Sequence, residues 1–150
     1  MPAKIAAFLS VLFAALVVGS MFGLWLGLNP AGVSSALWVE EHRQLVRGYN
    51  VVVPRMGATA ILFTAITAYF ARGQAGALIL LLVAATCLVL TGLITRFRNQ
   101  PINETVMTWD VRSVPSGWTQ SRDEWWRWHV ARVGLGLIAL CALIAAAVLR

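Results

Sequence analysis

The sequence predicts an all-α integral membrane protein: a four-helix transmembrane bundle with a short amphipathic helix and a long capping loop on one face. Composition points there first. Of 150 residues 59% are hydrophobic and 12% charged, with a mean hydropathy of +0.76. A soluble domain is about 45–50% apolar and about 25% charged, so too few charges are present to coat a water-facing globule. Charge spacing points there second. No charged residue lies between Lys4 and Glu40, 23 uncharged residues separate Arg72 from Arg96, 16 separate Arg55 from Arg72, and 17 separate Arg132 from Arg150. A spanning helix needs about 20 apolar residues to cross about 30 Å of hydrocarbon.

These runs place spans near 5–28, 51–71, 75–95 and 128–149, in a single domain covering 1–150. The first run is too long for the apolar stretch of a cleaved leader and passes into Trp25 and Leu26 without a small-residue cleavage site, so it is taken as a span. Spans two and four are short: 16 or 17 residues cover only about 24–26 Å. Arg55 and Arg132 therefore sit at the hydrocarbon edge, where they either snorkel or face a polar cavity in the bundle.

Four spans put the termini and the turn at 72–74 on one face, and segments 29–54 and 96–127 on the other. All six acidic residues fall in these two segments, and His42, His129 and the tryptophans gather on the same side. An aromatic belt accounts for the tryptophans but not for every acid and both histidines, so chemistry is expected on this decorated face. It carries nine Arg or Lys against three on the plain face, which by the positive-inside rule places it in the cytoplasm.

Within the first decorated segment, Asn29–Pro30 ends span one. Ser34 or Ser35 caps a helix over about 36–49, with Trp38, Leu45 and Tyr49 as its apolar line and Glu40, Arg43 or Gln44, and Arg47 as its polar line, continued by Asn50. A carboxylate near the hydrocarbon edge needs a partner, so Glu40 is expected to pair with Arg47 or Arg132. Pro54 fits the first turn of span two, where its missing N–H costs little. In the second segment, Pro101 and Pro115 make 99–118 a folded loop, and Ser121 with Glu124 reads as a capping box opening span four. Arg122, Trp126, His129 and Arg132 then project from one side of that helix. Ala15, Gly19, Gly23 and Gly27 form a small-residue stripe on span one that admits a close neighbour, inside the bundle or in a homo-oligomer. Cys87 and Cys141 lack any metal or redox spacing and read as small apolar residues.

Several of these residues together resemble the anthrone oxygenase-like family of small integral membrane proteins. The first half of the resemblance runs through Gly23, Leu26, Gly27, Asn29, Pro30, Glu40, Arg47, Asn50 and Pro54. The second runs through Asn99, Pro101, Asn103, Trp109, Pro115, Trp118, Arg122, Trp126, His129 and Arg132. The chain departs from the family pattern at Glu41, His42 and Arg43, a stretch that is often glutamine-rich, so the resemblance assigns no role to His42. It implies oxidation of a lipophilic anthrone-like substrate by O2. An anthrone has an acidic methylene beside a carbonyl; loss of one proton gives an enolate able to pass an electron to O2. That chemistry needs a base, donors for the enolate oxygen and an apolar slot. The candidates are His129 as base, Arg132 and Arg47 with Glu40 around it, and Asn50, Asn99, Asn103, Trp109, Trp126 and Arg122 around the substrate. A competing arrangement binds a single iron or copper ion through Glu40 and His129, with His42 or Glu104; otherwise no cofactor is required. Expected partners are the substrate, O2, membrane lipid and a second copy through Gly19, Gly23 and Gly27, with no nucleic acid. The alternative is a non-catalytic accessory or a small-molecule binding or transport subunit. Transport fits less well, since no charge sits at mid-bilayer and no span is broken at its centre.

Overall fold

A computed structural model describes residues 1–28 and 30–149; Asn29 of the Asn–Pro stop and Arg150 of the plain face lie outside them. The described residues are helical throughout, joined by short turns: α1 (Pro2–Gly27), α2 (Ser35–Tyr49), α3 (Val52–Phe70), α4 (Ala75–Ile94), a π-helical segment (Thr95–Asn99) running into α5 (Gln100–Thr108), and α6 (Trp118–Val148). Four of these helices are long and apolar enough to cross a membrane: Pro2–Gly27, Val52–Phe70, Ala75–Thr108 and Trp118–Val148. The chain is a multi-pass membrane bundle.

Around the bundle α1 packs on α3, α3 on α4, α4 on α6, and α6 back on α1. Lipid tails are as apolar as leucine, so association rests on close packing of small residues. The core shows this: Ala14, Ala60, Ala84, Ala139, Ala142 and Ala146 are buried around Leu81 and Leu143. Buried hydroxyls bond within their own helices, Thr64 to the Ala60 carbonyl (2.7 Å) and Thr91 to the Cys87 carbonyl (2.9 Å), as a site without water demands. At Gly136 the helices approach closely. A Cβ there would stand 3.1 Å from both Met21 Cε and Val18 Cγ2, so glycine is what lets α6 reach α1.

The stripe on α1 behaves differently. Nothing lies within 4 Å of a Cβ built at Gly19, Gly23 or Gly27. Packing of these glycines inside the bundle is therefore corrected: α1 turns Ala14, Val17, Val18 and Met21 inward instead, leaving a second copy as the remaining expectation for the stripe.

Two boundaries also change. The segment expected as a loop from 99 is helical to Thr108, because α4 continues through the π turn. Pro101 has no N–H to give, and the wider π turn just before it keeps the chain helical. At the other end, α6 begins at Trp118 with Gly117 as N-cap and no side-chain cap. Ser121 and Glu124 thus lie inside the helix, and the expected capping box does not form. The α2 cap holds: the Ser34 hydroxyl accepts from the Leu37 N–H (3.3 Å). Gly32 adopts a φ of 83°, a left-handed conformation that suits glycine in the turn leading to α2.

Candidate functional site in the mouth of the bundle

The phase of α2 decides which of its polar residues face inward. Trp38 and Val39 are buried against Val106 of α5, with Ile102, Trp109, Val111, Val114 and Trp118 around them. His42, one turn on from Trp38 and Val39, is buried with them. Arg43 ties the two helices further, donating from Nη2 to the Met107 carbonyl (3.4 Å) and the Trp109 carbonyl. Those carbonyls end α5 and have no helical donor.

Below this cap lies a cavity of about 260 Å³ between α1, α3, α4, α6 and α2. Its wall is mostly apolar, including Val17, Met21, Leu24, Leu45, Val53, Ile61 and Leu88, while His42, Asn50, Thr95, Asn103, Trp125, His129 and Arg132 bring polar groups to it. A few convergent polar groups in an apolar slot are the usual form of a small-molecule site.

The amides form a chain of bonds. Trp125 Nε1 donates to Asn103 Oδ1 (2.9 Å), and His42 Nε2 shares the same oxygen (3.0 Å). Asn103 Nδ2 donates to Asn50 Oδ1 (3.3 Å), Gln100 Nε2 donates there too (2.8 Å), and Asn50 Nδ2 donates to Gln100 Oε1 (3.2 Å). The π turn supports this network from the side: Asn99 is buried and its Nδ2 donates to the Trp125 carbonyl (3.1 Å).

A second group sits on α6. Arg132 donates from Nη1 to the Thr95 hydroxyl (3.0 Å) and from Nη2 to His129 Nδ1 (2.9 Å). His129 Nε2 lies 3.1 Å from the Met21 carbonyl. Guanidinium can only donate and a carbonyl can only accept, so His129 is the neutral Nε2–H tautomer with both nitrogens engaged. Its ring is stacked on Trp125 (5.1 Å, 2°) and on Trp126 (5.6 Å, 29°). Arg132 is 9% exposed and its Nε is buried without a partner. Among the described residues the one ion pair is Arg122–Asp123 (2.8 Å), so Arg132 has no counter-charge in the cavity.

His42 is 2% exposed. Burial pushes its pKa down from 6.5 to about 4, against the opposing pull of the Asn103 hydrogen bond. It is therefore neutral at physiological pH, held between Trp38 (5.0 Å) and Trp125 (4.9 Å).

Of the residues singled out from sequence, Asn50, Asn103, His129 and Arg132 line the cavity. Asn99 and Trp126 stand behind it, against Trp125 and His129. Trp109 packs on Trp38 (5.9 Å) in the cap, and Arg122 lies over the Trp118 ring (5.0 Å) beside Asp123. Glu40 and Arg47 are exposed on the outer side of α2, and Glu40 has no ion pair among the described residues. The expected Glu40 pairing with Arg47 or Arg132 is thus overturned: residues two apart on a helix diverge by about 200°, so burying His42 turns Glu40 to the exposed side of α2. Arg55 is exposed too, so of the two edge arginines only Arg132 faces the cavity.

The metal set fares likewise. Glu40 and Glu104 are both exposed, and no three His, Cys, Asp or Glu residues converge among the described residues. The residues present do not fit an iron or copper centre. Sequence reasoning missed Trp125, Thr95 and Gln100. Trp125 had a signal, standing at i, i+4 from His129, where side chains meet on a helix. Thr95 and Gln100 had none, since their roles depend on a π turn that no local pattern announces.

A family model described as anthrone oxygenase matches residues 43–142 of the 150. No curated protein and no solved structure matches the chain. The matched segment holds Asn50, Thr95, Asn103, Trp125, His129 and Arg132, and begins just after His42.

Proposed function

We propose, from the premise that this chain belongs to the anthrone oxygenase family, that it is a membrane-embedded oxygenase acting on a lipophilic, enolisable aromatic ketone of the anthrone type. The reaction converts a methylene to a carbonyl with one O2; one oxygen atom enters the product and the other leaves as water.

The observation that carries this reading is the buried, uncompensated Arg132 in an apolar cavity. An unpaired charge in such a place costs several kcal/mol, about 3–5 when a partner has been removed. A ligand that becomes an anion there supplies the missing charge. An enolate does so as it forms, so the guanidinium stabilises the charge-developed state more than the neutral ketone, which is how a site accelerates a reaction. His129 and Thr95 hold the guanidinium in place. Asn50 and Asn103 offer polar contacts to ring substituents, and Trp125 with the apolar wall takes the flat ring system. Electron transfer from the enolate to O2 follows from the electron richness of that anion and calls on no metal.

The test is oxygen uptake by detergent-purified protein against a panel of anthrones and hydroquinones, with metal analysis of the same sample. Uptake with one O2 per anthrone and a quinone product is expected, independent of bound metal. Tight binding of anthrones without uptake would replace this reading with that of a binding or accessory subunit.

A further inference from the structure

We infer that the proton acceptor in this cavity is His42, through Nδ1, with Asn103 as the positioning residue that keeps that nitrogen unprotonated. The inference rests on the oxygenase reading for its substrate, an enolisable aromatic ketone, and on the hydrogen-bond directions for its assignment.

Those directions follow from donors whose roles are fixed. Indole Nε1–H only donates. Trp125 therefore turns the oxygen of Asn103, not its NH2, toward itself, and the same oxygen faces His42 Nε2 at 3.0 Å. An amide oxygen has no proton to give, so His42 Nε2 must carry one. In a neutral imidazole the other nitrogen is then the acceptor. His42 Nδ1 has no hydrogen-bond partner among the described residues. His129, by contrast, spends its acceptor nitrogen on Arg132. Of the two histidines in the chain, both of which line the cavity, only His42 has a ring nitrogen without a hydrogen-bond partner among the described residues.

Its surroundings suit the role. The ring is fixed between Trp38 and Trp125 and stays neutral in the resting protein because burial disfavours its charged form. In the step itself the methylene C–H bond breaks and an N–H bond forms at His42 Nδ1. The carbon's electron pair moves onto the carbonyl oxygen as an enolate, and the proton stays on His42 as imidazolium. The enolate then gives the imidazolium a counter-charge it lacked, which favours the charged form of the ring, while Arg132 is the remaining cation of the cavity. His42 stands immediately before the segment matched by the family model.

Proton removal can be read without oxidation. Under anaerobic conditions in heavy water, the purified protein should exchange the methylene protons of anthrone for deuterium faster than buffer does. His42→Gln keeps a donor toward Asn103 but has no basic nitrogen, and should lose at least about 100-fold of that exchange, the usual share of a general base. His42→Gly should regain exchange when imidazole is added, which a purely structural role would not produce. Full exchange in folded His42→Gln, or no exchange in the unmodified protein, overturns the inference. Oxygen uptake measured in parallel separates the two readings. Exchange without uptake removes the oxygenase reading and leaves His42 as base; uptake with unchanged exchange in His42→Gln does the reverse.

Discussion

At the residue scale, a single turn of α2 shows how little separates a surface group from a site group. Glu40 and His42 differ by two positions, yet one is exposed and the other is 2% exposed. In the proposed reaction Arg132 is the residue on which the chemistry turns. Replacing it by Gln should lower kcat/KM for anthrone oxidation by about 100- to 1,000-fold, the loss seen when one donor to a developing oxyanion is removed. Arg132→Lys should not restore it, because one ammonium cannot serve Thr95, His129 and the ligand as a planar guanidinium does. Oxygen uptake decides both. His42 also carries a stability prediction. Its folded pKa of about 4 lies below the unfolded 6.5, so between those values the unfolded chain holds a proton that the folded one does not. Stability is complete above about pH 6.5, falls as pH drops through the window and levels off below about pH 4, a change on the order of 3 kcal/mol. Thermal unfolding in detergent should show this acid-side fall, and His42→Gln should flatten it; an unchanged slope would count against the burial of a neutral ring.

At the element scale, the π turn at Thr95–Asn99 sets the register of everything after it. One added residue per turn rotates α5 relative to α4 by about 100°, bringing Gln100 and Asn103 round to Asn50, Trp125 and His42. Phe97, in the middle of the turn, is 68% exposed. Deleting it should restore α-helical register, keep helix content by circular dichroism, and abolish oxidation because Asn103 no longer meets Trp125. Phe97→Ala, which keeps the residue count, should retain activity; an active deletion variant would show that the register is immaterial. The α1–α6 crossing makes a separate prediction. Gly136→Leu drives a side chain into Val18 and Met21 and should destabilise by about 1–3 kcal/mol. Gly19→Ala, with open space at its Cβ, should stay within about 0.5 kcal/mol. Unfolding midpoints of the two variants in one detergent give the comparison.

At the scale of the whole molecule, the bundle keeps its polar cavity at one end. The plain end offers a turn and the termini, while α2, α5 and the first turns of α6 close the other end over the cavity. With Arg132 buried in the cavity, the decorated face still carries eight Arg or Lys in the sequence against three. From the charge rule we predict that this face is cytoplasmic. A reporter fused to the C-terminus should be active only on the opposite side of the membrane, and cytoplasmic activity of that fusion would reverse the assignment.

The sequence by itself determined that this protein is an all-α membrane bundle with four helices long and apolar enough to cross, that Ser34 or Ser35 caps α2, and which end holds the polar groups. Hydropathy, charge spacing and caps are properties of adjacent residues and need no knowledge of what packs where. It also carried enough of Asn50, Asn103, His129 and Arg132 to point to the family. Only the tertiary structure decided which polar side chains meet. The burial of Trp38 and Val39 against α5 sets the phase of α2, which brings His42 in and turns Glu40 and Arg47 out. The π turn brings Thr95 to Arg132 and Asn103 to Trp125. The physical reason is that helical phase and hydrogen-bond direction are fixed by contacts between residues far apart in the chain, such as the 61 positions between His42 and Asn103, and no local pattern encodes them.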